Sequence, residues 1–406
     1  MTLKTRLPLY QEVERLRGRP LIVYVTSNRQ NALGEIASDS VAELLTQLQA
    51  LPKDTSGIDL LIVSNGGDPT VAWRIVSLIR ETAKEFSVIV PQAAYSAATL
   101  IVLGADEVIM HPHGNLGPTD PQIRPAKRPG KDGGMNDSVH FGAEDLAAFL
   151  RFSKETVGLT DQREMLAVYG KFCDEVGTVA IGVAARSTQL SVRMGEKLLQ
   201  LHMTADPDQQ RARVISEKLT KDFFHHGYPV NRTEAREIGL KVAASDPTLE
   251  RLMWEIWSDI SEELKLREPF NAVNALKSDP NCAPLFGPSI QVTLPANLPP
   301  QVAQQAYQAI LANIPTVTVP PVAFELIHAI MESSRCSSRF VTRGSILGSR
   351  GADLQLRIAN VVDFQGWVTH SSPPIVATPT VGAPPTGMVT PAAKRAKKRT
   401  AGAARP

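Results

Sequence analysis

Cysteine is nearly missing from this chain. Cys173, Cys282 and Cys336 are the only three in 406 residues, odd in number and far apart. That excludes a disulfide framework and a zinc knuckle, and it suits a reducing compartment. Long apolar runs are missing too. No stretch approaches the ~20 residues a membrane helix needs; the run Ala97–Leu103 is followed at once by Gly104, Asp106 and Glu107. The opening stretch MTLKTRLPLYQEVERLRGRP is charged and holds no apolar segment of signal-peptide length, so the expected location is cytoplasmic, with no membrane partner. Acid is missing from the tail. From Ser371 onward there are Lys394, Arg395, Lys397, Lys398, Arg399 and Arg405 and no Asp or Glu. Removing those six from the net charge of +2 leaves about −4 on the body, which gives no reason to expect a nucleic-acid partner. A Gly-x-x-x-x-Gly-Lys-Ser/Thr loop is also missing, so the sequence offers no nucleotide-binding loop of that type.

What is present is ordinary for a soluble globular protein: 43% hydrophobic and 21% charged residues. Tyr10 to Gly18 reads as a short charged helix, and Pro20 to Thr26 as a strand rich in β-branched residues. Ser40-Val41-Ala42-Glu43 reads as a capping box, followed by Val41, Leu44, Leu45 and Leu48 at helical spacing. Ile58 to Ser64 is apolar almost throughout, as parallel strands buried on both faces are. Asn65-Gly66-Gly67 breaks it, and Asp68-Pro69 opens the next helix. Val88-Ile89-Val90, Ala97 to Leu103 and Asp106 to Met110 then read as strand, helix and strand. The first half therefore runs β-α-β-α-β-α-β, which implies a layered α/β core.

Ala143 to about Met203 is helical. Leu219 to Leu240 reads as a loop and then a helix capped by Asn231 with Glu234 and ended by Gly239. Beyond about Thr248 comes a helical connector, Leu249 to Leu266. An accessory α+β region with strands at Ile290–Leu294 and Leu354–Ile358 follows; its role is not readable from its residues. Three regions are expected: 1–248, 249–370, and a Pro/Ala-rich basic tail at 371–406 whose composition implies disorder.

Ser96 sits where a strand turns into a helix, so its hydroxyl points outward at the positive end of the new helix. Acyl transfer needs a nucleophile, a base and donors for the oxyanion. Gly66-Gly67 can turn a backbone N–H toward an anion without Cβ interference, and the amide of Ala97 is the natural second donor. On the residues alone Ser96 reads first as an N-cap, and a Gly pair as a tight turn.

The stretches VSNGGDPTVAWRIVSLIR, AAYSAATLIVLGADEVIMHPHGNLGPTDPQ and HGYPVNRTEAREIGL resemble the Clp/crotonase-fold serine peptidases. Within them they resemble the SDH-type ("serine dehydrogenase proteinase") family, relatives of the Clp proteolytic subunit and of signal-peptide peptidase A. The similarity spans roughly Leu7 to Ala244 and rests on motif order and spacing. It implies a Clp-like fold, Ser96 as nucleophile, Gly67 and Ala97 as the oxyanion hole, and a ring or trimer-based homo-oligomer. The implied activity is an acyl-enzyme serine endopeptidase acting on peptides or unfolded protein, with no metal or cofactor, and any unfoldase serving it would be a separate chain.

The base is where the pattern departs from the better-known relatives. By spacing, the histidine of the Clp subunit falls near Asp120, and its acid near Asp222 or Phe223. A lysine dyad like that of signal-peptide peptidase A would draw on Lys127 or Lys131. The SDH-type pattern keeps Gly-Pro-x-Asp-Pro and His-x-Tyr-Pro, which implies a Ser96–His226–Asp120 arrangement with His226 as base. His111 and His113 rank third, and the HPH triplet lacks the further ligands a metal would need. The rival readings are a non-catalytic Clp-fold assembly protein and a crotonase-type enzyme acting on acyl-CoA thioesters.

Overall fold

The computed structural model describes residues 3–371 except 124–127, 130–134, 137–140, 224, 245, 288–293, 295–296, 314–315, 352 and 354. Lys127 and Lys131, most of the strand expected at Ile290–Leu294, and the tail beyond Ser371 lie outside the described residues.

The first half alternates as its sequence requires. Helix α1 (Leu3–Arg17) leads into β1 (Leu21–Thr26), α2 (Ser40–Gln49), β2 (Gly57–Val63), α3 (Pro69–Thr82), β3 (Glu85–Val90), the two-residue β4 (Ala93–Ala94), α4 (Ala97–Leu103) and β5 (Glu107–Met110). Strands β1, β2, β3 and β5 pair in parallel in that spatial order. Alternate side chains divide the core. Ile22, Tyr24, Leu60 and Ile62 face α2, α3 and α4; Leu21, Val23, Val25, Leu61 and Val63 face α1 and the later connector helix. Full burial contributes about 1.5–3 kcal/mol for each such side chain.

The short strand β6 (Asn115–Leu116) follows, then the helices α5 (Ala143–Arg151), α6 (Gln162–Val176), α7 (Thr178–Leu199) and α8 (Asp206–Lys221). Strand β7 (Val230–Asn231) and α9 (Arg232–Ile238) come next. Asn231 accepts from the amides of Thr233 and Glu234, and Gly239 closes the helix with φ +116, as the sequence suggests. The connector is α10 (Pro247–Glu263), which buries Leu249, Leu252, Met253, Ile256, Trp257 and Ile260 on the sheet. Three long strands end the described chain: β8 (Val322–Ser333), β9 (Cys336–Arg350) and β10 (Leu356–Ser371). Strand β8 pairs antiparallel with β1, β9 with β8, and β10 with β9. The parallel sheet thus continues into an antiparallel extension, all within residues 1–372.

Two local expectations need correction. The first helix begins at Leu3, not Tyr10, and carries Pro8 inside. The capping box at Ser40 does not form. Ser40 Oγ donates to the Ala37 carbonyl, and Glu43 accepts instead from Thr369 on β10. A distant strand has taken the carboxylate that the local pattern assigned to the cap.

Candidate active site

The site is assembled by a small sheet separate from the main one. Strand β4 pairs in parallel with β6 (Ala93 with Asn115, Ala94 with Leu116), and β6 pairs antiparallel with β7 (Leu116 with Val230). Strands β4 and β6 run the same way, so the residues after them leave at one end: Tyr95-Ser96 and Gly117 to Asp120. Strand β7 runs the other way, so the residues before it, including His226, arrive at that same end. Three strands of two residues each therefore gather the nucleophile candidate, the carboxylate and the histidine.

Ser96 holds φ 53° and ψ −116°, left-handed backbone for a residue with a Cβ. Such a conformation costs about 1–3 kcal/mol and persists only where the surroundings enforce it. The serine makes no cap bond to the helix it precedes. The elbow is held from below by Thr99, the lone polar residue in AATLIVL and fully buried. Its Oγ1 lies 2.7 Å from the Ala94 carbonyl and 2.9 Å from that of Gly117, and it accepts from the Gly117 amide at 3.1 Å.

The Asn65-Gly66-Gly67 turn presses against the elbow. A Cβ on Gly66, where φ is +109°, would stand 2.7 Å from the Ser96 Cβ. On Gly67, where φ is +151°, it would stand 2.2 Å from the Ile36 carbonyl oxygen. Ile36 bonds to both sides of Gly67, donating to the Gly66 carbonyl and accepting from the Asp68 amide, each at 2.8 Å. That bridge leaves the Gly67 amide unused by the turn. The Ala97 amide, first in α4, has no carbonyl one turn before it.

Asp120 is 9% exposed. Its Oδ1 lies 2.8 Å from His226 Nδ1, and its Oδ2 accepts from Gln122 Nε2 at 2.8 Å. A carboxylate only accepts, so the proton belongs to Nδ1, and the neutral ring keeps its lone pair on Nε2. The pairing follows from the neighbours. The Thr119 amide donates to the Leu219 carbonyl and Thr119 Oγ1 meets Thr220 Oγ1 at 2.9 Å, so the loop leaving α8 must pass Asp120. Behind the pair is a small cavity of about 190 Å³, lined in part by Glu144. Burial raises the Glu144 carboxyl above its ordinary range, and Asp120 adds to the effect.

Ser96, Gly66, Gly67, Thr119 and His226 line one cavity of about 1120 Å³. No hydrogen bond joins Ser96 to His226 among the described residues; in unliganded enzymes such bonds are often long and tighten with substrate. The other candidates lie elsewhere. His111 stacks on Trp254 at 5.2 Å and accepts from the His113 amide, and burial holds its ring below the ordinary pKa. Asp222 is an exposed residue at the end of α8, and Phe223 packs on Tyr228. No group of side chains that could hold a metal occurs among the described residues, and no described helix is long and apolar enough to cross a membrane. Gln122 and Thr99 escape a reading of the sequence, although a single threonine in an apolar helix is a signal of its kind.

Residues 4–130 match the family described as ClpP-like SDH-type serine proteinase. An uncharacterized protein of Methanocaldococcus jannaschii, MJ0137, is 27% identical over 251 residues, covering 60% of this chain and 74% of that protein. Among solved structures, a serine-to-alanine mutant of the 1510-N membrane-bound stomatin-specific protease is 15% identical, with 57% of this chain and 83% of that one covered at a TM-score of 0.33. ClpP1 from Listeria monocytogenes is 13% identical, with 58% and 98% covered at a TM-score of 0.29. The matched segment runs from α1 through the Gly66-Gly67 turn and the Ser96 elbow to Asp120, and stops before His226. The similarity to the ClpP-like SDH-type serine proteinase family thus covers residues 4–130, less than half of the chain, and it supports a serine peptidase in general.

Proposed function

We propose that this protein is a serine endopeptidase that cleaves peptides or unfolded protein through an acyl-enzyme on Ser96. The observation that carries the reading is the 2.8 Å bond between His226 and Asp120 at the cavity that Ser96 and Gly67 also line. His226 Nε2 takes the Ser96 proton as Oγ attacks the scissile carbonyl, then returns it to the leaving amine. Asp120 fixes the tautomer and stabilises the imidazolium. The amides of Gly67 and Ala97 receive the oxyanion; a donor of this kind lowers the barrier by about 3–4 kcal/mol. A water deprotonated by His226 then releases the acyl group. Glu35 and Asp39 also line the cavity, and their charge opposes the phosphates of an acyl-CoA. We take the working form to be a homo-oligomer: α6 buries no residue within the chain and exposes Leu166 and Tyr169.

Intact-mass labelling with a fluorophosphonate probe tests the assignment, with the oligomeric state measured in the same sample. One adduct is expected on the wild type and none on Ser96→Ala. His226→Ala and Asp120→Asn should each lower turnover by about 10³- to 10⁴-fold, and Lys131→Ala should leave it unchanged. A folded oligomer that takes up no probe over hours between pH 6 and 9 would favour a non-catalytic assembly protein.

A further inference from the structure

The cavity at Ser96 has a second wall, built from a part of the chain to which no role is assigned. Strand β8 pairs with β1 so that Ala329 lies opposite Thr26, at the end of β1 from which the sheet opens toward the site. Phe340 of β9 lies opposite Ala329, and Trp367 of β10 opposite Phe340. The register therefore lays Ala329, Phe340 and Trp367 in one row across three strands, and all three line the cavity with Ser96 and His226. The Phe340 and Trp367 rings meet edge to face at 5.7 Å.

The polar atoms of this wall are already occupied. His328 stands where the β8–β9 register slips, a bulge that re-aims its side chain. Its Nδ1 donates to the Leu33 carbonyl at 2.8 Å and its Nε2 is hydrogen-bonded to Thr342 Oγ1 at 2.9 Å. Both ring nitrogens are thereby engaged, and neither is left to offer a substrate. Trp367 Nε1 donates to Asp39 at 2.8 Å. Half-buried ring faces remain, with the Asp39 carboxylate at the Trp367 edge; Leu33 and Glu35 line the same cavity.

We infer that the row Phe340–Trp367 is a specificity subsite of this peptidase, which takes a bulky apolar side chain of an extended peptide and rejects acidic ones. The inference rests on the Ser96 reading for its reaction, but not for its binding. A side chain seated against two aromatic rings removes apolar surface from water on both sides. An Asp or Glu in the same place would lose its hydration beside the Asp39 carboxylate, in a cavity that Glu35 also lines. The antiparallel extension of the sheet thereby acquires a purpose: it carries the rings to the open end of the parallel strands.

Two measurements test it on the full chain. The first is a cleavage profile of a mixed peptide library, read as the apolar-over-acidic ratio at each position around the scissile bond. Wild type should prefer Leu, Ile, Met, Phe or Tyr at one fixed position. Phe340→Ala and Trp367→Ala should shrink that preference by about 10- to 100-fold, mainly through KM. Trp367→Phe, which keeps the ring face and loses the bond to Asp39, should retain most of it. The second uses Ser96→Ala and fluorescein-labelled hexapeptides with a central Leu or Asp, read by anisotropy. The Leu peptide should bind at least about tenfold tighter, and Phe340→Ala in that background should erase the difference. No fluorophosphonate adduct on the wild type beside this binding difference would overturn the catalytic reading and keep the subsite. An adduct beside equal binding of the two peptides, or a profile unmoved by the ring variants, would overturn the subsite.

Discussion

Gly66 has room for a hydrogen and little else. A methyl group there would meet the Ser96 Cβ at 2.7 Å and the Ala97 nitrogen at 3.1 Å, on backbone at φ +109°. The elbow would have to move, and a displacement near 1 Å at a reacting centre costs about 100-fold. Gly66→Ala is therefore expected to fold, with an unchanged far-ultraviolet spectrum, and to take up the fluorophosphonate probe about 100-fold more slowly; uptake at the wild-type rate would separate the turn from the chemistry. Much at this scale is legible in the sequence. The glycine pair, the serine at a strand-to-helix junction, and the GPTDP and HGYP motifs name Gly66, Gly67, Ser96, Thr119 and His226, which line one cavity, and Asp120, which bonds His226. What stays hidden is support. Gln122 reaches Asp120 only two residues away in a loop, and loop bonds leave no periodic trace. His111 and His113 show the converse. A histidine doublet near the serine looks chemical, yet its nearest company is the Trp254 ring.

Thr99 joins two elements that the sequence lists separately. Its hydroxyl sits between β4, which delivers Ser96, and Gly117, which opens the loop to Asp120. Thr99→Val keeps the shape and leaves the buried Gly117 carbonyl without its Thr99 donor, while the Gly117 amide keeps only its bond to the Ala94 carbonyl at 3.2 Å. That should cost about 1–3 kcal/mol in urea unfolding and slow probe uptake, while Thr99→Ser, which keeps the oxygen, should recover most of both. An unchanged midpoint in Thr99→Val would mean that the elbow is held by packing alone. Among the elements, the parallel strands and their helices are the most readable, because strands buried on both faces are continuous apolar runs. The strands β8 to β10 are the least. CSSRFVTRGSILGSR shows no clean alternation, since one face of β9 turns Phe340 to the cavity while the other meets charged partners of α10 through Arg339. Bulges after Ile327 and Arg343 shift the period twice more. The failed capping box at Ser40 has the same cause: β10, more than 300 residues away, supplies the donor that Glu43 satisfies.

The whole molecule turns on one buried cluster of charge. Arg6 of α1 is fully buried; its Nε lies 2.7 Å from Glu332 of β8, and its Nη1 contacts Asp259 and Glu263 of α10. Glu332, also fully buried, accepts from Tyr10 at 2.5 Å and from Ser337 at 2.9 Å, and Arg339 of β9 closes the group on Glu263 at 2.6 Å. The carboxylates hold the Arg6 guanidinium well above its ordinary pKa, against the opposing effect of burial. The cluster therefore ties the start of the chain, the connector helix and the wall-bearing strands to one point. Removing one partner of a buried ion pair costs about 3–5 kcal/mol, because the other charges stay buried without compensation, whereas replacing a pair by apolar residues is often nearly neutral. Arg6→Met should lower stability by about that amount in a single urea transition, and Arg6→Met with Glu332→Leu should regain part of it. If β8 to β10 formed an independent unit, the transition would instead split, and the parallel core would keep its own midpoint. A single transition that moves as one would mean that the aromatic wall and the serine elbow fold together, so that the cavity between them exists only when both do.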